Sequence, residues 1–168
     1  MLETKNIKSY IISTFDKKYK QQVIDLIFSI WSDEHNFSVS YESKPDLFNI
    51  ESFYSGLKGN FWIAVTSSEE VIGTIAIENL SSGNYALKRM FVRKDFRNQG
   101  IAQNLFKKIL EWTKSNDAKN IYLSTHSKKS AAAVKFYKKN SFKEIEKNQV
   151  PANFPIFEED DVFMRLEF

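Results

Sequence analysis

The sequence predicts a mixed α/β (α+β) fold of about seven strands and about four helices. Three observations lead there. Residues 61–92 hold three strand-like runs separated by short polar turns. Just after Val92 the hydrophobic period changes from two to that of a helix. The 168 residues, 42% apolar and 15% aromatic, are enough for one sizeable core.

Ile7 to Phe15 reads as a first strand with mixed apolar and polar positions, and Asp16 can cap the next helix. Val23, Ile24, Ile27, Phe28, Ile30 and Trp31 then recur at helical spacing. Residues 33–44 are polar and irregular and read as a loop. Pro45 opens a second helix through Leu47, Phe48, Ile50 and Phe53, closed by Gly56 and Gly59. Phe61–Thr66, Val71–Glu78 and Tyr85–Val92 come next as an antiparallel meander, with turns at 67–70 and 81–84. Ile101, Leu105, Ile109 and Trp112 mark one face of a third helix that ends at Asn116 and Asp117. Ile121–Thr125 is a strand, and Ser130 begins a helix running to Asn140. Phe142–Glu146 and Asp161–Phe168 are the last two strands.

Several function classes are excluded at this level. With no Cys and two His, a disulfide scaffold, a thiolate metal site and a Cys nucleophile are out, and no metal is expected. No apolar run approaches the ~18 residues of a membrane span. Met1 to Tyr10 lacks the apolar core of a secretory signal. The expectation is a soluble cytoplasmic protein.

The net charge of +3 hides an asymmetry. Residues 88–143 carry 15 Lys and Arg against 3 acidic residues, while both flanks are net acidic. A basic middle suggests an anionic ligand such as nucleotide phosphates or nucleic acid, or else a solvated Lys-rich face. The acidic run Glu158 to Asp161 would favour a cationic amine if it lined a pocket.

The chemistry concentrates at the strand-to-helix junction from Phe91 to Ala102. A helix N-terminus offers unpaired N–H groups and a partial positive charge, which suits an anion. Gly100 lets a phosphate approach the backbone, Ala102 keeps the first turn small, and Arg93, Lys94 and Arg97 add charge. Neither a P-loop nor a dinucleotide fingerprint is present.

Arg97-x-x-Gly100-x-Ala102 resembles the R/Q-x-x-G-x-G/A motif of the GNAT superfamily of N-acetyltransferases. A second segment, Ser130 to Phe142, is similar to the family's N-x-x-A-x-x-F/L-Y-x-x-x-G-F run. The resemblance covers residues 61–146 well, and these would carry the acetyl-CoA-binding core of one domain spanning 1–168. It implies the GNAT acyltransferase fold, a central, mostly antiparallel mixed sheet of about seven strands flanked by about four helices. It also implies acetyl-CoA as co-substrate and transfer of its acetyl group to a primary amine of a small molecule or peptide. The backbone of Asn98, Gln99, Gly100, Ile101 and Ala102, with Arg97 alongside, would hold the pyrophosphate. Met90, Phe91 and Val92 would pair with the pantetheine as an added strand does, and the thioester would sit where this strand and the next splay apart. Lys128, Lys129 and Lys135 would supply charge near the 3′-phosphate, which accounts for the basic segment without nucleic acid.

Two positions depart from the family pattern. Ser130 stands where Asn is frequent; its hydroxyl could bond the pantetheine or cap the helix. Ser141 stands where Gly is frequent, and Asn140 is expected to take the left-handed cap instead. Tyr137 matches the family's acid, protonated at neutral pH and able to reprotonate the leaving thiolate. A backbone N–H near Phe91 or Val92 would stabilise the oxyanion. The family's Glu, where present, falls on Ala86 here. Glu78 is then the first candidate for general base, followed by Tyr85, Asp33, Glu34 and Asp160.

The tail Val150-Pro151-Ala152-Asn153-Phe154-Pro155 before Asp160 resembles a bacterial GNAT subgroup. Its prolines stiffen a loop that could border the acceptor pocket, with Phe154 and Phe157 as walls. His35 and His126 read as surface or loop residues. The resemblance allows a homodimer and calls for no membrane or nucleic-acid partner. The competing readings are a non-catalytic acyl-CoA-binding module and, more distantly, a nucleic-acid binder with salt-dependent affinity.

Overall fold

The computed structural model describes residues 9–38 and 40–168, with the side chain of Tyr41 excepted. Seven strands form one sheet: β1 (Tyr10–Thr14), β2 (Gly59–Thr66), β3 (Val71–Asn79), β4 (Asn84–Val92), β5 (Asn120–Thr125), β6 (Lys143–Ile145) and β7 (Val162–Glu167). Their order across the sheet is β1-β2-β3-β4-β5-β7-β6. Each neighbouring pair is antiparallel except β4–β5. The helices are α1 (Lys20–Ser29), the short α2 (Pro45–Phe48) and α3 (Ile50–Phe53), α4 (Ile101–Lys114) and α5 (Ala131–Lys139).

The sheet separates two cores. On one face α4 presents Ile101, Leu105, Phe106 and Ile109 to Ile72, Ile75, Ile77 and Leu123, with Tyr137 of α5 in the same cluster. Burying each of those α4 side chains is worth about 1.5–3 kcal/mol. On the other face Val23, Leu26 and Ile27 of α1 join Leu47, Ile50 and Tyr54 over Phe61, Ile63 and Ala76. The strands of the meander alternate between these two faces, which is why both sides of β2 and β3 are apolar.

Most of the predicted elements form, with four differences. The first strand is described from Tyr10; the predicted part before Ser9 lies outside the described residues. The helix α1 does not stop at residue 33. It continues as a π-helical turn through Ile30–Glu34, so the irregular segment begins later. The helix predicted from Pro45 to Phe53 breaks in two, because Asn49 (φ −139°, ψ 52°) interrupts it. Finally, the left-handed residue after α5 is Ser141 (φ 69°), not Asn140 (φ −94°).

Two irregularities of β4 position the site. It pairs with β5 only at Asn84–Ala86 against Asn120–Tyr122. From Leu87 to Val92, and from Leu123 to Thr125, the two strands have no pairing with each other. β4 also carries a bulge. The register to β3 runs Thr74↔Phe91 and then Ala76↔Lys88, one extra residue on β4. Arg89 in the bulge adopts φ 54°, a costly conformation for a residue with a Cβ.

Candidate active site

The site has a backbone half and a side-chain half. The backbone half begins at the N-terminus of α4. Gly100 is left-handed (φ 79°) and Asn98 before it is too (φ 60°), which turns the chain sharply from β4 into the helix. The first-turn N–H groups of α4 have no intrahelical acceptor. A Cβ built on Gly100 would meet nothing within 4 Å, so the space over the loop is open to a phosphate. This loop therefore fits a pyrophosphate held by Gly100, Ile101 and Ala102.

Arg97 is not a free cation beside the loop. Its Nε donates to Val92 O (2.8 Å), and its two Nη atoms grip Glu34 at 2.6 and 2.8 Å. It fastens the loop to the strand before it and to the π turn after α1. Lys129 is engaged as well, with Glu159 (3.1 Å) and the Phe37 ring (3.9 Å). Lys128 and Lys135 are exposed and form no ion pair among the described residues.

Alternation settles which parts of β4 face the opening. Arg93 N–H donates to Ile72 O on β3, so Phe91 shares that side, and Met90 and Val92 turn toward β5. Near the position expected for an oxyanion donor, the Met90 and Val92 N–H groups therefore face the opening and the Phe91 N–H faces β3. The Phe91 ring instead packs edge-on against Trp31 (5.6 Å).

Ser130 begins α5 without capping it through its side chain. Its Oγ lies 3.5 Å from His35 Nδ1, so the capping role drops out. The turn before α5 is held by His126, whose Nδ1 accepts from Lys128 and Lys129 N–H at 3.2 and 3.3 Å. Tyr137 packs among Phe136 and Phe142, and burial drives its phenol well above the ordinary range. It therefore stays protonated. Every fully buried side-chain polar atom among the described residues has a partner. The Tyr137 hydroxyl makes no hydrogen bond there, so solvent reaches it.

The side-chain half lies on the other face. Arg89 is 8% exposed and Asp46 3%. Arg89 Nε and Nη2 donate to the Asp46 carboxylate at 2.8 and 2.7 Å, and the Tyr54 hydroxyl adds a bond of 2.6 Å. Burial alone would raise the Asp46 carboxyl; the hydrogen bonds and charge of Arg89 overcome it and hold the group at about 2. The Arg89 guanidinium stacks 5.0 Å from the Trp31 ring. This group pins the strained bulge to the start of α2.

Sequence reasoning assigned no role to Asp46, Arg89 or Tyr54. A signal was present: Lys88-Arg89 interrupts an otherwise apolar strand, and a charge inside a strand needs a partner.

The base candidates separate by place. Glu78 pairs with Ala86 at the closed end of β4, and its Oε2 is held by Lys88 at 3.0 Å. Tyr85 is buried and donates to Asn116 O (3.1 Å). Asp33 accepts from Ser32, and Glu34 is held by Arg97. Asp160 accepts from Ser124 Oγ at 2.5 Å, and Ser124 belongs to the unpaired end of β5. Burial raises the Asp160 carboxyl, against the Ser124 hydrogen bond.

The acidic run does not act as one patch. Glu159 goes to Lys129, Asp161 takes the Ser127 N–H and hydroxyl at 2.6 Å each, and Asp160 turns inward. The two predicted walls separate as well. Phe154 is buried with Leu80, Ala86 and Tyr122, while Phe157 faces Lys44 and Arg89.

An anion cradle at a helix start beside a splayed parallel strand pair defines the acyltransferase class of fold. The comparisons agree. The model of the acetyltransferase (GNAT) family matches residues 24–142, and the chain belongs to that family. It is similar to an acetyltransferase of the GNAT family from Staphylococcus aureus Mu50, at 34% identity and TM-score 0.91, covering 95% of this chain and 99% of that one. The PaiA N-acetyltransferase of Thermoplasma acidophilum, solved in complex with coenzyme A, shares the fold at 19% identity and TM-score 0.75, covering 95% and 99%. Among curated proteins it is 35% identical over 104 residues to the N-acetylaspartate synthetase of Xenopus tropicalis. That match covers 61% of this chain and 38% of the relative, so the chain spans well under half the length of that protein. No helix among the described residues is long and apolar enough to cross a membrane.

Proposed function

We propose that this protein is an acetyl-CoA-dependent N-acetyltransferase that acts on a primary amine of a small molecule or peptide by direct attack. One observation carries the reading: the Gly100 cradle at the start of α4 adjoins strands β4 and β5 that are paired only through Ala86 and open beyond it. In this reading the backbone of Asn98 to Ala102 takes the pyrophosphate. Met90 and Val92 pair with the pantetheine amides, Phe91 fixing their side of the strand through Thr74. Ser130 and Lys135 line the far end.

Acetyl-CoA supplies an activated acyl carbonyl, and the chain supplies the rest. The Met90 or Val92 N–H, whichever the pantetheine leaves free, donates to the carbonyl oxygen as the new C–N bond forms. Tyr137 gives its proton to the sulfur as the C–S bond breaks. Asp160 takes the proton released by the amine nitrogen. Position favours Asp160 over Glu78: Ser124 holds it at the open end of the gap, whereas Lys88 holds Glu78 at the closed end. Burial also raises the Asp160 carboxyl, which strengthens it as a proton acceptor.

The test is turnover, read by free-thiol release, beside acetyl-CoA affinity from calorimetry. Asp160→Asn is expected to lower kcat by roughly 10²–10⁴-fold with affinity for acetyl-CoA unchanged. Glu78→Gln is expected to keep full activity. The reverse result would make Glu78 the base, and binding without turnover on any amine would leave an acyl-CoA-binding module. Folded protein that fails to bind acetyl-CoA would end the acetyltransferase reading.

A further inference from the structure

A second cation in the side-chain half has no ion-pair or hydrogen-bond partner among the described residues. Lys44 stands just before α2, half-buried, with its Nζ 5.4 Å from the centre of the Trp31 ring and 4.2 Å from that of Phe157. Arg89 lies against the same two rings, at 5.0 and 5.9 Å. The two cations therefore share one aromatic slot. The nearby carboxylates attract Lys44 through space but do not pair with it directly. Asp46 is taken by Arg89 and Glu78 by Lys88, and Asp160 is turned to Ser124. Among the described residues the Lys44 ammonium makes neither an ion pair nor a hydrogen bond; burial and like charge from Arg89 and Lys88 disfavour its charge, and the more distant Asp46 and Asp160 offset this only in part.

Remaining water contact and the two rings stabilise this ammonium in part, and an anion seated on it would supply the charge-assisted hydrogen bonds that it lacks. The slot is also near the chemistry. Arg89 is the bulge residue of β4, and the loop that carries Phe157 carries Asp160 three residues later. A cation and a carboxylate thus face one space from two sides.

Resting on the acetyltransferase reading above, we propose that the acceptor is an amine bearing a carboxylate, an amino acid or the end of a peptide. Its carboxylate sits on Lys44 between Trp31 and Phe157, and its amine is directed toward Asp160. Lys44 is a binding residue and takes no part in bond making. The expected acceptor is therefore anionic or zwitterionic at the end that Lys44 grips, not the purely cationic amine that the acidic tail suggested.

The experiment uses matched acceptors, each L-amino acid beside its carboxamide, with wild type, Lys44→Met and Lys44→Arg. For the acids that are acetylated, wild type should show a KM roughly tenfold or more below that of the amide. Lys44→Met should remove that difference by raising KM for the acid at nearly constant kcat, and Lys44→Arg should keep most of it. Amides as good as acids, or a preference that survives Lys44→Met, would overturn the proposal. Unchanged acetyl-CoA affinity and circular dichroism show that the variants are folded. If no amine is acetylated, the acetyltransferase reading fails by itself, and calorimetric titration of the same pairs still reads the seat. Acids bound in preference to amides, with the preference lost in Lys44→Met, would support it, and no preference would refute it.

Discussion

The two halves of this site are built from different material. The side proposed for the cofactor is backbone: a left-handed glycine, the first turn of α4 and the unpaired length of β4. The side proposed for the acceptor is side chains brought from far apart, with Trp31 on the π turn, Lys44 and Asp46 at α2, Arg89 on β4, and Phe157 and Asp160 on the β6–β7 loop. Backbone geometry tolerates replacement of most side chains and resists only a few. A side-chain constellation depends on each member. The acceptor side should therefore be the more fragile half, and the cofactor side the more tolerant.

The largest test of that contrast is Asp46→Asn. It leaves Arg89 buried without a counter-charge and releases the strained bulge, so unfolding stability should fall by about 3–5 kcal/mol in urea titration. A loss under ~1 kcal/mol would show that the bulge holds itself. The wild-type pair also has a pH signature. The Asp46 carboxyl sits at about 2 in the fold against an ordinary value of 3.8. Its stabilisation is complete above 3.8 and is lost as pH falls from there toward 2.

Gly100→Glu probes the backbone half. A negative charge at the cradle should weaken acetyl-CoA binding by roughly a hundredfold or more in calorimetry. The backbone penalty at φ 79° should cost only ~1–2 kcal/mol of stability. If affinity survives, the phosphate lies elsewhere. The smallest effect is expected for Glu34→Gln. It frees Arg97, whose partner is partly exposed, so stability should change by less than ~1 kcal/mol. Acetyl-CoA should bind about two- to fivefold more tightly at low salt, because a competing carboxylate is gone, and the gain should vanish as salt is raised.

The same division explains what could be read from the sequence. Arg97, Gly100 and Ala102 fall within six residues, and Ser130, Ala133 and Tyr137 within eight, so local spacing carries the cradle and the helix α5 beside it. The meander is legible because its two apolar faces and short turns lie in one stretch. The slot is not local: Lys44 and Phe157 are far apart in the chain and meet only through the order of the sheet. Alternation along β4 depends on a bulge that no residue type announces, which is why Phe91 and Val92 could not be told apart as donors. Ser141 rather than Asn140 turns left-handed because the helix runs on through Lys139 and the chain reverses one residue later than the composition suggests.

Gly73 matters beyond packing. A side chain there would stand 3.0 Å from Leu105 Cδ1 and 3.3 Å from Ile101 Cγ2, both on α4, and 3.2 Å from Phe91 O on β4. This position is one of those that set how closely α4 approaches the sheet, and with it the spacing of the α4 N-terminus from the bulge. A methyl group at Gly73 would act as a shim between two parts that must work at fixed spacing. Displacements of about 1 Å at a reacting centre can cost a hundredfold in rate. The geometry of the proposed site thus depends in part on a residue that belongs to neither the cradle nor the slot.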